Sequence, residues 1–183
     1  MRFLPTDEQS DLARTLSALL SAADVPAAVR AWSAGDHGPG RALWSKLAAT
    51  GLFALAVPEE HGGLGPLPVE LAVSFIELGR YGVPGPLVET AAAAALLPAK
   101  LLPALADGAT SATLTLPGAG PYALDPDAAS LIVTVTVTAG DGGAGAGAAY
   151  PVPVHGAAHA AGGAAYDVYA APGHGGLLAS ADP

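Results

Sequence analysis

Three groups of residues in this chain have types and spacings that could do chemistry. Gly140, Gly142 and Gly145 spell G-x-G-x-x-G after a β-like run, and Asp167 follows at about the distance expected of the ribose-binding acid of a dinucleotide fold. That motif captures phosphate with a helix that starts directly after the glycines. Here Ala, Gly, Pro151 and Pro153 follow instead, so the glycines read as low-complexity coincidence. His155 and His159 have H-x-x-x-H spacing with His174 as a third possible ligand, but that spacing ligates a metal only from a helix, and Gly156 and the flanking prolines oppose one. They read as loop histidines, and no metal site is expected. Glu59, Glu60 and His61 combine two acids with a base, yet they are adjacent in a Gly-bounded loop with no nucleophile beside them, and no catalysis is assigned there. Cysteine is absent, which excludes disulfides, thiolate chemistry and Cys-based zinc sites.

The elements that must position any such groups divide at Gly108. Before it the apolar residues recur at helical spacing. Thr6 caps a helix with Gln9 as its capping-box partner, and Leu12, Leu16, Leu19 and Leu20 form one stripe. A short helix follows over 26–34, GDHGPG reads as a loop, and from Arg41 the residues Leu43, Trp44, Leu47 and Ala48 fall on one face up to Gly51. Residues 52–57 read as buried chain between helices. A longer helix is expected over 67–81, with Val69, Ala72, Val73, Ile76 and Leu78 inward and Glu70, Glu77 and Arg80 on the polar side. Residues 87–97 favour helix by alanine content, and a last short turn runs from Pro103 to Gly108.

After Gly108 the period changes to 2. Residues 112–116 and 131–138 alternate and are rich in Thr and Val, so both read as strands, and residues 166–169 as a further one. Residues 139–165 are mostly Gly and Ala and are expected to form loose loops, because such side chains bury little area against their ordering entropy. The fold class is therefore α+β: an N-terminal antiparallel helical bundle, 1–108, followed by an incomplete small β-domain, 109–183, whose strands are expected to have open edges.

Charge narrows the partners. The 183 residues carry a net charge of −9, and all seven Lys and Arg lie at or before Lys100. Nucleic acid is excluded as a partner, since its recognition depends on neutralising phosphates with Lys and Arg. No apolar run approaches the ~20 residues of a membrane span, and the N-terminus lacks the apolar core of a signal peptide. The expectation is a cytoplasmic protein.

The stretch 43–88, LWSKLAATGLFALAVPEEHGGLGPLPVELAVSFIELGRYGVPGPLV, places an amphipathic helix, a Pro/Gly-punctuated loop and a second amphipathic helix in sequence. With LPTDEQSDLARTLSALL before it and ETAAAAALLPAKLLPALADG after it, the first two thirds of the chain resemble the N-terminal helical domain of acyl-CoA dehydrogenases. The resemblance places PEEHGG at a structural bend. In that family the first strand of the middle β-domain ends in a signature like L-T-E-P-x-x-G-S-D, which helps hold flavin and acyl thioester. The matching residues here are 114–122. Thr115, Pro117 and Gly120 fit, whereas Leu116, Pro121 and Tyr122 replace the acid, the Ser and the Asp. Proline in the Ser position removes a hydroxyl and a backbone N–H donor. Thr115, Gly118 and Gly120 are the cofactor-side residues that the resemblance implies. A strand running into a turn accounts for the same residues equally well.

The resemblance implies FAD-dependent α,β-dehydrogenation of an acyl-CoA, in fatty acid or lipid catabolism, with a carboxylate taking the α proton and the β hydrogen leaving as hydride. In the family that carboxylate comes from a C-terminal helical domain, which is not present in this sequence. Glu70, Glu77 and Glu89 do not match its motif, so no catalytic residue is assigned. The expected protein is a truncated or split dehydrogenase subunit, binding FAD weakly or not at all alone and working as a homo- or hetero-oligomer with a dehydrogenase subunit. The alternative is a non-catalytic structural subunit that pairs with a competent enzyme.

Overall fold

The computed structural model describes residues 4–116, 122–138, 157–159 and 165–172, with side chains described through 135. The helical part begins with α1 (Asp7–Ala22), whose capping box is complete: Gln9 N–H donates to the Thr6 hydroxyl at 3.3 Å and Thr6 N–H to Gln9 Oε1 at 3.0 Å. Its stripe faces the core, with Leu16 and Leu20 fully buried. Helix α2 (Val25–Ser33) is capped by Asp24, whose side chain accepts the Ala27 N–H. α1 and α2 meet at a 68° bend, and among the described residues no single helix is long and apolar enough to cross a membrane.

Helix α3 (Gly38–Ala48) starts inside the segment GDHGPG that reads as a loop in sequence. Pro39 lies in its first turn, where a missing N–H costs nothing, and Gly40 is buried beneath Trp32. A buried 3-10 turn, Phe53–Ala56, then carries the chain through the core as expected. Helix α4 (Pro68–Tyr81) lies where periodicity puts it, with Leu78 inward and Arg80 outward as expected, but the rest of its buried face is rotated. Val69 and Ile76, expected inward, are 52% and 61% exposed; Glu77, expected outward, is 6% exposed. The sequence of α4 has two apolar lines, 69–73–76 and 71–75–78, and either satisfies helical spacing. The second packs with α1, and Tyr81 Oη lies 3.1 Å from Ser17 Oγ. Gly82, at φ +66°, ends the helix. Helix α5 (Leu87–Ala93) is shorter than the alanine run suggests, and α6 (Leu102–Ala106) closes the helical part.

The strands are β1 (Ala112–Thr115), β2 (Leu131–Thr138), β3 (Ala157–His159) and β4 (Ala165–Pro172), in the order β1-β2-β4-β3. β1 and β2 are parallel, with Thr115 opposite Thr134, and β4 runs antiparallel to both β2 and β3. Two expectations are corrected here. β2 is an interior strand with neighbours on both sides, so it has no open edge, and residues 157–159, inside the span expected to be loose, pair with β4. Backbone pairing does not depend on side-chain size, which is why small residues conceal it from composition.

Two apolar clusters hold the molecule together. One, built on Leu16, Leu20, Val25, Leu47 and Phe53, belongs to the helices. The other, with Val57, Ala93, Leu97, Leu105, Ala112 and Val133, joins α5 and α6 to the inner face of β1 and β2. Each fully buried Leu or Val contributes about 1.5–3 kcal/mol relative to exposure, so the helices and the first strands form one packed unit.

Candidate functional site

The site built by the fold lies where β1 and β2 meet the helical part. Alternation along β1 sends Ala112 and Leu114 toward the helices and Thr113 and Thr115 to the opposite face. The Thr115 hydroxyl donates to the Thr134 hydroxyl at 3.0 Å. Thr113 Oγ1 is buried without a hydrogen-bond partner among the described residues. Leu116 follows, 47% exposed, in the position where the family signature has an acid. Of the sequence-assigned cofactor residues, Thr115 is thus placed at the end of β1, while Gly118 and Gly120 lie outside the described residues.

Among the described residues, the end of β1 offers few polar groups to a flavin, and residues 117–121 of the signature stretch lie outside the described ones. Thr115 spends its hydroxyl proton on Thr134, Leu116 offers an apolar side chain, and no Lys or Arg occurs after residue 100 to meet a pyrophosphate. The acidic residues of α4 are also engaged. Glu70 accepts from Gln9 Nε2 at 3.0 Å, and Glu77 accepts from the Arg80 guanidinium at 3.1 Å.

Glu59, Glu60 and His61 form a 3-10 turn on the surface. Glu60 Oε1 lies 3.6 Å from His61 Nε2, and among the described residues no nucleophilic side chain is bonded to them. The bend is stitched by backbone bonds from Gly63 N–H to Pro58, Leu64 N–H to Ala54 and Gly65 N–H to Val57. A Cβ at Gly63 would lie 1.8 Å from the Val57 carbonyl oxygen, so this glycine permits a backbone crossing. The PEEHGG segment thus forms a backbone-bonded bend. Gly140, Gly142, Gly145, His155 and His174 lie outside the described residues. His159 falls in β3 and Asp167 in β4, so neither stands on a helix. Among the described residues no cluster of three or more His, Asp or Glu could hold a metal ion.

The feature that sequence reasoning missed is a set of ties from α2 and α3 to the turn before β2. Trp32 Nε1 donates to Asp125 Oδ2 at 2.9 Å, His37 Nε2 lies 3.6 Å from Asp127 Oδ2, and the Arg41 guanidinium donates to the Ala128 carbonyl at 3.3 Å. Trp44 adds a bond from Nε1 to the Gly108 carbonyl at 2.9 Å and stacks on Phe53. Between these ties and the strand starts lies a cleft of about 240 Å³, walled by the two indoles, Arg41, Ser45, Ser111 and Ser130. A wider trough of about 600 Å³ on the α3 side is lined mainly by Ala and Gly and offers little chemistry. The only local sequence signal for the ties was two tryptophans in a chain with few aromatics; partners 64 to 93 residues away leave no periodicity to read.

Comparison with known proteins agrees with this geometry. The family model described as acyl-CoA dehydrogenase, N-terminal domain, matches residues 6–108. The chain is 37% identical over 136 residues to acyl-CoA dehydrogenase IpdE2 of Mycobacterium tuberculosis, a match covering 70% of this chain and 42% of that protein. It is also 37% identical over 125 residues to acyl-CoA dehydrogenase FadE34 of the same organism, covering 62% of this chain and 17% of the relative. The chain thus spans less than half the length of these relatives. Among solved structures, the ChsE4-ChsE5 complex of M. tuberculosis aligns with a TM-score of 0.59 at 21% identity, covering 76% of this chain and 45% of the other. Butyryl-CoA dehydrogenase of Megasphaera elsdenii aligns with 0.58 at 20% identity, covering 76% and 46%. An acyl-CoA dehydrogenase complexed with FAD from Bacillus anthracis aligns with 0.57 at 19% identity, covering 72% and 29%. These three show a shared fold.

Proposed function

The chain belongs to the acyl-CoA dehydrogenase family, and we propose that it contributes the helical domain, 1–108, and the first part of the β-domain, 109–183, to the flavin-dependent α,β-dehydrogenation of an acyl-CoA thioester. The observation that carries this reading is the docking of the family-matched helices onto β1, through Ala93, Leu97 and Leu105 against Ala112. Residues 1–183 contain no group assigned as the α-proton base, and removing a proton from carbon requires one within reach. That base is supplied from outside these residues, by further chain or by a second subunit, and the chain alone retains FAD weakly or not at all. The two-component ChsE4-ChsE5 complex among the structural relatives supports the two-subunit form of this reading. Lipid or fatty acid catabolism in the cytoplasm is the corresponding setting.

A second reading is favoured by one observation. Thr115 is bonded to Thr134 and Leu116 is exposed, where a flavin-holding loop needs polar donors and acceptors. In that reading the chain is a non-catalytic subunit that shapes the pocket of a competent dehydrogenase. Both readings are tested by purifying the chain alone and with the dehydrogenase subunits of its host, then recording flavin absorbance and acyl-CoA turnover with an artificial electron acceptor. The expected result is no stoichiometric flavin and no turnover alone, and association with a flavin-bearing, active assembly in company. A yellow, active chain on its own would overturn both; no association with any dehydrogenase subunit or domain would overturn the family role.

A further inference from the structure

Helix α4 is apolar on two sides. Leu71, Phe75 and Leu78 pack toward α1 and the 53–56 turn, while Val69, Ala72, Ile76 and Gly79 lie exposed on the other side among the described residues. A surface helix turns charged and polar residues to water, and a helix apolar all round is a covered one. The acids of α4 do not relieve the exposed side, because Glu70 is bonded to Gln9 and Glu77 is buried. Arg80 is the one charged residue of α4 that flanks it, with its guanidinium on Glu77.

The four exposed residues alternate in size. Their spacing, three, four and three residues, is that of the a and d positions of a helix pair, and they read Val, Ala, Ile, Gly: bulky, small, bulky, small. A two-fold axis near Ser74 sets Val69 of one copy against Gly79 of the other, and Ile76 against Ala72. Each bulky side chain then enters the space over a small residue. Gly79 leaves that space open, since a Cβ built there meets nothing within 4 Å. A parallel pair would set bulky against bulky in one layer and small against small in the next. It would also bring the two Arg80 side chains together. The antiparallel pair holds them about 18 Å apart along the axis, at 1.5 Å of rise per residue, beyond the screening length at physiological salt.

We propose that the exposed side of α4 is a self-pairing surface: two copies of this chain associate through antiparallel α4 helices, each copy seating its Val69 and Ile76 over the other's Gly79 and Ala72. The pairing is independent of flavin and of acyl-CoA. Four residues a side fall short of the ~800 Å² per partner of a standard interface, so the pair is weak, with a dissociation constant on the order of tens of micromolar.

Sedimentation equilibrium of the full chain tests the affinity. Ile76→Lys removes one buried isoleucine from each copy, about tenfold apiece, and should raise the dissociation constant about hundredfold. Leu124→Lys makes the same change at an exposed residue off α4 and should leave it unaltered. Ala72→Ile adds apolar surface but fills the space for Ile76, so it should weaken the pair at least tenfold, whereas nonspecific adhesion would strengthen. Cross-linking tests the geometry, in a chain without native cysteine. Val69→Cys and Gly79→Cys should form a disulfide with each other when mixed and oxidised, and neither with itself, because like positions lie about 15 Å apart along the axis. A wild-type monomer throughout the micromolar range would overturn the proposal. So would association that Ala72→Ile strengthens or Ile76→Lys leaves unchanged, or self-cross-linking of either cysteine variant as efficient as that of the mixture.

Discussion

The Thr90 hydroxyl takes the place of a neighbouring strand for Ala112. It accepts the Ala112 N–H at 2.9 Å and lies 3.0 Å from the Ala112 carbonyl oxygen and 2.7 Å from that of Pro86, so its single proton serves one of two acceptors. Both Thr90 and Ala112 are fully buried. The outer edge of β1 is thus closed at its first residue by a helix side chain, and the helical and β parts are joined by a polar tie inside an apolar cluster.

Thr90→Val keeps the shape and removes the hydroxyl, leaving the Ala112 N–H buried and unpaired. A loss of about 1–3 kcal/mol is expected, read as a lower urea midpoint with an unchanged slope. Thr90→Ser retains the bonds and should recover most of the loss, apart from a buried methyl. Equal stability of the Val variant and wild type would show that water or relaxed backbone satisfies Ala112.

Two ion pairs at the same helical spacing should differ in strength. Glu77 is buried while its partner Arg80 is 63% exposed, whereas both Asp11 and Arg14 are exposed. Arg80→Met leaves a buried carboxylate without its donor and should cost about 1–3 kcal/mol. Arg14→Met should cost under about 0.5 kcal/mol, since exposed pairs contribute little. Thermal or urea unfolding of the two variants side by side gives the comparison, and similar losses would contradict the burial of Glu77.

Two glycines separate packing from propensity. A Cβ at Gly40 would meet the Trp32 ring at 2.3 and 2.6 Å, whereas one at Gly79, within α4, meets nothing within 4 Å. Gly40→Ala is expected to destabilise by about 1–3 kcal/mol through overpacking. Gly79→Ala should stabilise by about 0.5–1 kcal/mol through helix propensity. Opposite signs in the unfolding midpoint are the expected outcome, and the same sign for both would contradict the packing of Trp32 over Gly40.

The first turn of α1 gives a pH prediction. The Glu8 carboxyl is held below its ordinary value, first by a backbone hydrogen bond and then by the Thr6 hydroxyl. A carboxyl with a depressed folded value contributes stability that is present above its unfolded value and is lost as pH falls through the folded one. Fraying at residues 7–10 should therefore begin as pH falls into the usual carboxylate range and be complete only below it. Thr6→Ala, which also removes the cap, should lower stability by about 1 kcal/mol at neutral pH and narrow that pH window from its acid end. Exchange at the Gln9 and Ser10 amides against pH reads both effects.

Features written in local pattern were legible from the residues alone. The capping box of Thr6 and Gln9, the Leu16–Leu20 stripe, the helix expected over 67–81 and the strands at β1 and β2 follow from spacing within a few residues, because caps, periodicity and β-branching act over one or two turns. The family was legible for the same reason, its order of helices and loop being a linear pattern. Packing chose which of two equivalent apolar lines of α4 faces α1, and so buried Glu77 and exposed Ile76. It also brought Ala157–His159 into a strand, set Thr90 against the edge of β1, and joined Trp32 to Asp125 across 93 positions. Each of these depends on a partner remote in sequence, and a residue's own type and neighbours do not specify which distant surface will lie against it.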